Sequence, residues 1–294
     1  MTAPLEILPD RVYMVTRRCA QRMFLLRPDE DTTQTFLYCL AYAAEKAGVD
    51  VLFSVVMSSH HHTIIYDREG TISRFTHYLH GLTGRAVNIL RGRRENFWAK
   101  EQTNLLYLVE LDDVLEKMAY AAINPVKAGL VEQAEQWPGL NTTEAFLSGA
   151  SLSVQRPRHF FRAKRLPVQL TLSLGWPAAL GPVEKARQRL RERIDALEAQ
   201  ARQERIRNGQ RVLGREAVRK QSFLATPQTP EPRRRLRPTI AAINPWVRMT
   251  VRLGYRAFLE AYRTARACLI KGLPALFPPG TYWLRHNAGV TVLE

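Results

Sequence analysis

Two strand-like runs separated by only two serines constrain this chain more than any other feature. The first run spans residues 49–57, and the second follows Ser58 and Ser59 and spans residues 60–66. Both are rich in β-branched residues, a composition typical of strands. We therefore predict two antiparallel neighbouring strands, and the rest of the first half of the chain has to assemble around this pair.

The second run begins with three consecutive histidines. Residues two apart in a strand face the same side, so His60 and His62 are predicted to project together and His61 toward the opposite face. Two neutral imidazoles on one face supply half of a divalent-metal site. The plainer alternative is one buried, hydrogen-bonded histidine and two exposed ones, since short motifs also arise by chance.

A second motif lies at residues 118–131, which read Met-Ala-Tyr-Ala-Ala-Ile-Asn-Pro-Val-Lys-Ala-Gly-Leu-Val. Carboxylates just upstream, where a helix dipole favours negative charge, predict a helix over residues 112–123. Tyr120 and Asn124 are four residues apart and would share one face of that helix. Taken alone, a core tyrosine followed by an Asn-Pro turn explains this motif more simply.

The periodicity of apolar residues predicts the order strand, helix, strand, strand, helix, strand, helix. The strands are predicted at residues 11–19, 49–57, 60–66 and 104–109, and the helices at residues 34–47, 71–90 and 112–123. This order suits an α+β fold, a ferredoxin-like antiparallel sheet with helices on one face.

Together the two motifs resemble those of single-tyrosine HUH transposases, and most closely the branch of REP-associated tyrosine transposases. The similarity includes the segment Tyr13–Cys19 and extends from about residue 10 to about residue 135. Two positions differ from the family pattern. His61 stands where the family usually has an apolar residue, and Ser58-Ser59 stands where Pro-Asn commonly precedes the first histidine.

The resemblance implies an HUH endonuclease core and a specific chemistry. Such an enzyme nicks and rejoins hairpin-containing single-stranded DNA through a 5′-phosphotyrosine. By this resemblance Tyr120 is the nucleophile, and His60, His62 and Asn124 are the ligands of Mg²⁺ or Mn²⁺. Pro125 disfavours a helical conformation at Asn124, although a helix that ends there still allows the ligand role. The protein is expected to act as a monomer or homodimer.

Basic and acidic residues are distributed unevenly between the two halves of the chain. The net charge is +16, yet residues 1–150 hold 15 basic and 18 acidic residues, whereas residues 151–294 hold 28 basic and 9 acidic residues. A polyanionic partner is the leading interpretation, and a merely soluble basic surface is the alternative. We predict a transposase core at residues 1–150 and a basic, mainly helical DNA-binding or accessory region at residues 151–294.

The basic region is predicted to contain helices at residues 182–208 and 246–269, with a proline-rich linker near residues 226–238 between them. Cations expected to contact DNA lie in this region and beside the two motifs. They are Arg17, Arg18, Lys127, Arg158, Arg162, Lys164, Arg165, Arg233, Arg234, Arg235 and Arg237.

Composition indicates the cellular compartment in which the protein is expected. Three scattered cysteines fit neither a disulfide framework nor a CxxC site. No run of apolar residues is long enough to span a bilayer, and the first ten residues lack the basic segment of a secretory signal. We therefore expect a cytoplasmic, nucleoid-associated protein without a membrane partner.

Two other functions stay open beside the transposase or single-stranded DNA endonuclease that the resemblance favours. The first is a catalytically inactive nucleic-acid-binding protein on the same fold, which has lost metal chemistry through the differences at Ser59 and His61. The second is a structural protein stabilised by zinc, for which the sequence offers no cysteine cluster.

Overall fold

The computed structural model describes residues 4–160, 165–229 and 238–293. Its strands are β1 (Arg11–Arg18), β2 (Asp50–Met57), β3 (His60–Asp67), β4 (Asn104–Leu108), β5 (Leu152–Gln155), β6 (Gln169–Leu172), β7 (Ile240–Ala241), β8 (Leu276–Phe277) and β9 (Thr291–Val292). The main sheet has the order β2-β3-β1-β4-β7. Its first four strands pair antiparallel, and β7 joins β4 in parallel.

The helices are α1 (Glu30–Ala47), α2 (Ile72–Leu90), α3 (Leu111–Ala122), α4 (Asn124–Lys127), α5 (Thr143–Ser148), α6 (Val183–Arg207), α7 (Arg215–Lys220), α8 (Pro245–Ile270) and α9 (Trp283–Ala288). Most predicted bounds are confirmed to within one residue. The exception is α1, which begins four residues earlier than predicted because the Asp29 side chain accepts a hydrogen bond from the Thr32 amide and caps the helix.

The α+β class and the ferredoxin-like strand order are confirmed, but the helices are divided between the two faces of the sheet. Tyr13 and Val15 of β1 point to the face that α1 and α2 cover. Val12 and Met14 point to the opposite face, which α3 and α6 cover. The reason is that the central strands are apolar on both sides, so both faces have to be shielded from water.

The C-terminal half packs closely on the first half. The apolar stripe of α6 is buried against α3 and comprises Ala186, Leu190, Ile194, Leu197 and Ala201. Two ion pairs flank this contact, Arg189–Asp112 at 2.6 Å and Arg193–Glu116 at 2.8 Å. Contacts therefore cross residue 150, and the division of the chain at that residue stays a prediction.

None of the helices in the described ranges combines the length and the apolarity that crossing a bilayer requires.

Candidate active site

Strand parity separates the three histidines as predicted. His62 pairs with Thr16 of β1, so it shares the face of Met14 that α3 covers. His60 lies on the same face, and the ring centres of His60 and His62 are 4.9 Å apart with the planes nearly perpendicular. His61 points to the face covered by α1 and α2, where it contacts Phe36.

Both imidazoles of the pair are held through one ring nitrogen. His62 Nδ1 lies 2.9 Å from Thr16 Oγ1, and His60 Nδ1 lies 3.2 Å from Ser59 Oγ. His62 Nε2 is buried and has no hydrogen-bond partner among the residues that the structure describes. When Nδ1 of an imidazole is held by a hydrogen bond, the ring is oriented so that Nε2 can bind a ligand. The serine that departs from the family pattern thus supports the first histidine.

Burial keeps both imidazoles neutral near pH 7. It lowers the pKa of His60 to about 4, with further contributions from the charges of Arg18 and Arg22. It also lowers the pKa of His62 well below the ordinary value of 6.5, assisted by His60, His61 and Lys117. A neutral imidazole is the form that binds a metal ion, so the pair meets that requirement without first losing protons.

Tyr120 lies beside His62 at the edge of α3. This helix begins with a capping box formed by Glu110 and Asp113, and it buries Val114 and Met118 against the sheet. Tyr120 remains 41% exposed, and its ring centre is 5.9 Å from that of His62. The phenol is therefore adjacent to the histidine pair and open to solvent, as a nucleophile for a large substrate requires.

Asn124 follows one turn after Tyr120. Lys127 N donates to Ile123 O at 2.9 Å and Ala128 N donates to Asn124 O at 3.0 Å, so the chain stays helical through Pro125. The proline does not displace Asn124 from the turn that follows the tyrosine. Asn124 Nδ2 is buried and has no hydrogen-bond partner within the described ranges, and a half-turn of the amide would exchange this nitrogen for an oxygen.

Among the described residues, no group of three His, Cys, Asp or Glu side chains is arranged to hold a metal ion. A site built on His60 and His62 would therefore need a ligand of another type, and the amide of Asn124 is the one that the motif predicts. Its role as a ligand stays a prediction.

His61 is fully buried in a polar cluster under the sheet. Its Nε2 lies 3.0 Å from His80 Nε2, and its ring also contacts Trp98. Arg17 belongs to the same cluster, with Nη1 3.1 Å from His80 Nδ1 and the guanidinium over Trp98. The strand directs the Arg17 side chain to the face opposite the histidine pair, and its contact with DNA stays a prediction.

The other predicted DNA-contacting cations are spread over the molecule. Arg18 lies near His60 and pairs with Glu101 at 3.5 Å. It also lines a cleft of about 530 Å³ together with Trp98, Arg93 and Lys100. Lys127 lies beside Tyr120, and Arg158 and Arg165 are exposed beyond β5 and before β6. The remaining candidates, Arg162, Lys164, Arg233, Arg234, Arg235 and Arg237, lie outside the described residues.

Sequence reasoning missed three side chains at the site. Thr16 and Ser59 orient the imidazoles, but the role of Thr16 depends on the pairing of β1 with β3, which sequence alone does not give. Lys117 has its Nζ 5.7 Å from the Tyr120 ring centre. Its three-residue offset from Tyr120 was the available signal, since residues three apart share a helix face.

Solved structures similar to this chain were found. No protein-family model matches the chain, and no curated protein matches it. A REP-associated tyrosine transposase bound to a REP hairpin is 19% identical, covers 59% of this chain and 92% of its own, and gives a TM-score of 0.40. A protein from Deinococcus radiodurans R1, provisionally assigned as a transposase, is 15% identical, covers 37% of this chain and 88% of its own, and gives a TM-score of 0.30.

Identities and TM-scores this low carry no conclusion about what the present chain binds or cleaves. The similarity to REP-associated tyrosine transposases that the motifs predict is found again among solved structures.

Proposed function

We propose that this protein nicks and rejoins single-stranded DNA that contains a hairpin, with Tyr120 as the nucleophile. One observation carries the proposal: the Tyr120 ring lies 5.9 Å from that of His62, whose buried Nε2 has no partner. The Tyr120 phenol therefore lies beside the two imidazoles of His60 and His62 at one surface. The motif of residues 118–131 and the histidine triplet were each weak signals alone, and their convergence in space strengthens both.

The residues fit a divalent metal ion such as Mg²⁺ or Mn²⁺. His60 and His62 would hold it through their Nε2 atoms, and Asn124 would add an amide oxygen. This ligand set of two nitrogens and one oxygen leaves positions open for substrate oxygens, and Mn²⁺ accepts imidazole more readily than Mg²⁺ does. When bound, the ion would act as a Lewis acid that stabilises the charge developing on the phosphate.

The protein's own residues perform the remaining steps. The Tyr120 oxygen attacks the phosphorus and gives its proton to solvent, and the bond from phosphorus to the 3′-oxygen breaks as that oxygen takes up a proton from solvent. The products are a 5′-phosphotyrosine and a free 3′-hydroxyl, so the energy of the phosphodiester is conserved for rejoining. Attack by a 3′-hydroxyl on the phosphotyrosine then reforms the strand and releases Tyr120. Thr16 and Ser59 keep the imidazoles oriented throughout.

Positive surfaces beside the site support DNA as the substrate. Three cations, Arg18, Arg93 and Lys100, and two carboxylates, Glu95 and Glu101, line the cleft, so its cations exceed its anions by one and can contact phosphates. The hairpin is proposed from the resemblance of the two motifs to REP-associated tyrosine transposases, one of which is bound to a REP hairpin. The basic residues of 151–294 would hold its flanks. All site residues belong to one chain, so a monomer suffices and a homodimer is compatible.

A nucleic-acid-binding protein without catalysis is the second candidate. It was suggested by the differences from the family pattern at Ser59 and His61. Two contacts weigh against it, because Ser59 supports His60 and His61 is directed away from the pair.

Cleavage assays with a labelled oligonucleotide distinguish the two candidates. The intact protein is incubated with hairpin-containing single-stranded DNA and Mn²⁺, Mg²⁺ or EDTA. We expect metal-dependent cleavage and a covalent adduct at the 5′ end of the downstream fragment. DNA binding without cleavage under all conditions would favour the binding protein.

A further inference from the structure

Two lysines flank the proposed nucleophile. Lys117 Nζ lies 5.7 Å and Lys127 Nζ lies 5.8 Å from the centre of the Tyr120 ring. Neither lysine makes an ion pair with any of the residues that the structure describes. Lys117 is also close enough to His62 for its charge to contribute to the lowered pKa of that imidazole, after burial and the neighbouring histidines. Two ammonium groups without an ion-pair partner among the described residues therefore lie beside the tyrosine.

Glu116, a carboxylate on which the charges of both lysines act, is bound by another residue. Glu116 is one turn before Tyr120 on α3, on the same side of the helix. Arg193 of α6 binds it with two hydrogen bonds, from Nε at 2.8 Å and from Nη2 at 2.9 Å. The pKa of Glu116 is lowered mainly by this hydrogen bonding and also by the charges of Lys117 and Lys127, so its carboxylate lies within electrostatic reach of both lysines.

We propose that Lys117 and Lys127 form a binding site for the phosphodiester that is cleaved, and that Arg193 keeps the site open by holding Glu116. The proposal rests on the proposed function for the identity of the ligand as DNA. A phosphodiester has one negative charge on two non-bridging oxygens, and two ammonium groups can each donate to one of them. Cations at this position would also stabilise the charge that develops as Tyr120 attacks.

Arg193 acts here as a positioning residue. Without it, Glu116 would be the anion best placed to pair with the lysines and would repel an incoming phosphate. The bidentate geometry of arginine is suited to occupying both carboxylate oxygens, which a lysine does less completely. The neighbouring pair Arg189–Asp112 joins the same two helices one turn further from Tyr120 and provides a matched control.

The test measures the rate of covalent adduct formation at saturating DNA for a set of full-length variants. Lys117→Gln and Lys127→Gln are each expected to lower the rate about 10- to 100-fold, the scale seen when a charge-stabilising group is removed. Arg193→Gln is expected to lower it as well, and the double variant Glu116→Gln/Arg193→Gln to recover most of that activity. Arg189→Gln should leave the rate unchanged. Urea unfolding of each variant verifies the fold.

The outcomes separate this inference from the proposed function. If the intact protein forms an adduct and both lysine variants keep its rate, the phosphate site is refuted and the nuclease proposal stands. If Arg193→Gln loses activity that Glu116→Gln does not restore, Arg193 acts only in packing, and its positioning role is refuted.

If the intact protein forms no adduct, the proposed function fails, and the lysine site is then judged by binding. Each lysine variant should reduce the salt slope of hairpin-oligonucleotide binding by about 0.7, the value for one phosphate contact on a single strand. Unchanged slopes would overturn the inference.

Discussion

At the scale of single residues, side chains alternate along β3 and direct neighbouring histidines to opposite faces of the sheet. His62 keeps a ring nitrogen without a partner among the described residues beside Tyr120, and His60 packs against His62, whereas His61 uses both ring nitrogens in a buried cluster with Thr63 and His80. Sequence parity predicts which histidines share a face. It does not predict how deeply each is buried, because burial depends on the helices that cover the sheet.

Alanine substitutions should separate catalysis from stability. His60→Ala is expected to abolish metal-dependent cleavage with little reduction of stability, since this side chain is only half-buried. His61→Ala, for which strand parity alone predicts a mild effect, is expected to cost about 2–4 kcal/mol because it leaves a cavity in the core. Urea unfolding and a cleavage assay at low temperature measure the two effects. A His61→Ala protein of normal stability would contradict the packing described for the cluster.

Acid should weaken the fold through the same cluster. Burial lowers the pKa of His61 to about 3 and that of His80 well below 6.5, so the unfolded chain binds protons that the folded chain does not. Stability is therefore complete above pH 6.5 and falls as the pH decreases from 6.5, by roughly 1.4 kcal/mol per pH unit for each histidine. Urea unfolding in EDTA at pH 7, 6 and 5 tests this, in a range where ordinary carboxylates still contribute little. His60 and His62, whose pKa values burial also lowers, add to the same dependence, and a flat profile would mean that all four histidines take up protons as readily in the folded protein as in the unfolded chain.

At the scale of elements, α3, the helix that carries Tyr120, is held between the sheet and α6. The 3.6-residue periodicity predicted both helices almost to the residue, because each has a long apolar stripe. Their contact was not predictable in the same way. The apolar stripe of α6 predicts that this helix packs on another element. Only the tertiary structure shows that this element is α3.

Weakening this contact should impair the active site from a distance. Leu190 of α6 is fully buried in the contact with α3, the helix that carries Tyr120. Leu190→Ala is expected to reduce the unfolding free energy by about 2–4 kcal/mol and to slow adduct formation in the folded fraction. Lys185→Ala, at an exposed position of the same helix, is the control and should change neither quantity. Adduct formation that is unaffected by Leu190→Ala would mean that α6 does not position the tyrosine helix.

At the scale of the whole molecule, the basic half, residues 151–294, contributes to the folded core and also supplies cations for a partner. The charge asymmetry suggested that residues 151–294 are an appended DNA-holding region. In the structure, α6 completes one face of the core and β7 extends its sheet, so part of this region is structural. Composition alone could not reveal this, because it records how many cations a segment has and not which of them pair with carboxylates of the first half.

Removing residues 151–294 is therefore expected to give an insoluble or unfolded fragment, since it would expose the apolar face of α3. The charge hypothesis is better tested in the full chain by replacing Arg233, Arg234, Arg235 and Arg237 with alanine. For every phosphate that one of these arginines neutralises, the salt slope of binding to single-stranded DNA should fall by about 0.7. Binding of a hairpin oligonucleotide across a salt series measures this slope. An unchanged slope would indicate that these arginines do not bind DNA.

The central claim is that Tyr120 forms a covalent bond with DNA beside the His60–His62 pair. Its most direct test is mass spectrometry of the peptide–nucleotide adduct after incubation with a hairpin-containing single strand and Mn²⁺, with Tyr120→Phe as the control. We predict a 5′-phosphate linked to Tyr120 in the intact protein, and none in the variant, which should still fold and bind DNA because only the hydroxyl of a partly exposed side chain is removed. An adduct on another tyrosine, or cleavage that persists in Tyr120→Phe, would contradict this account.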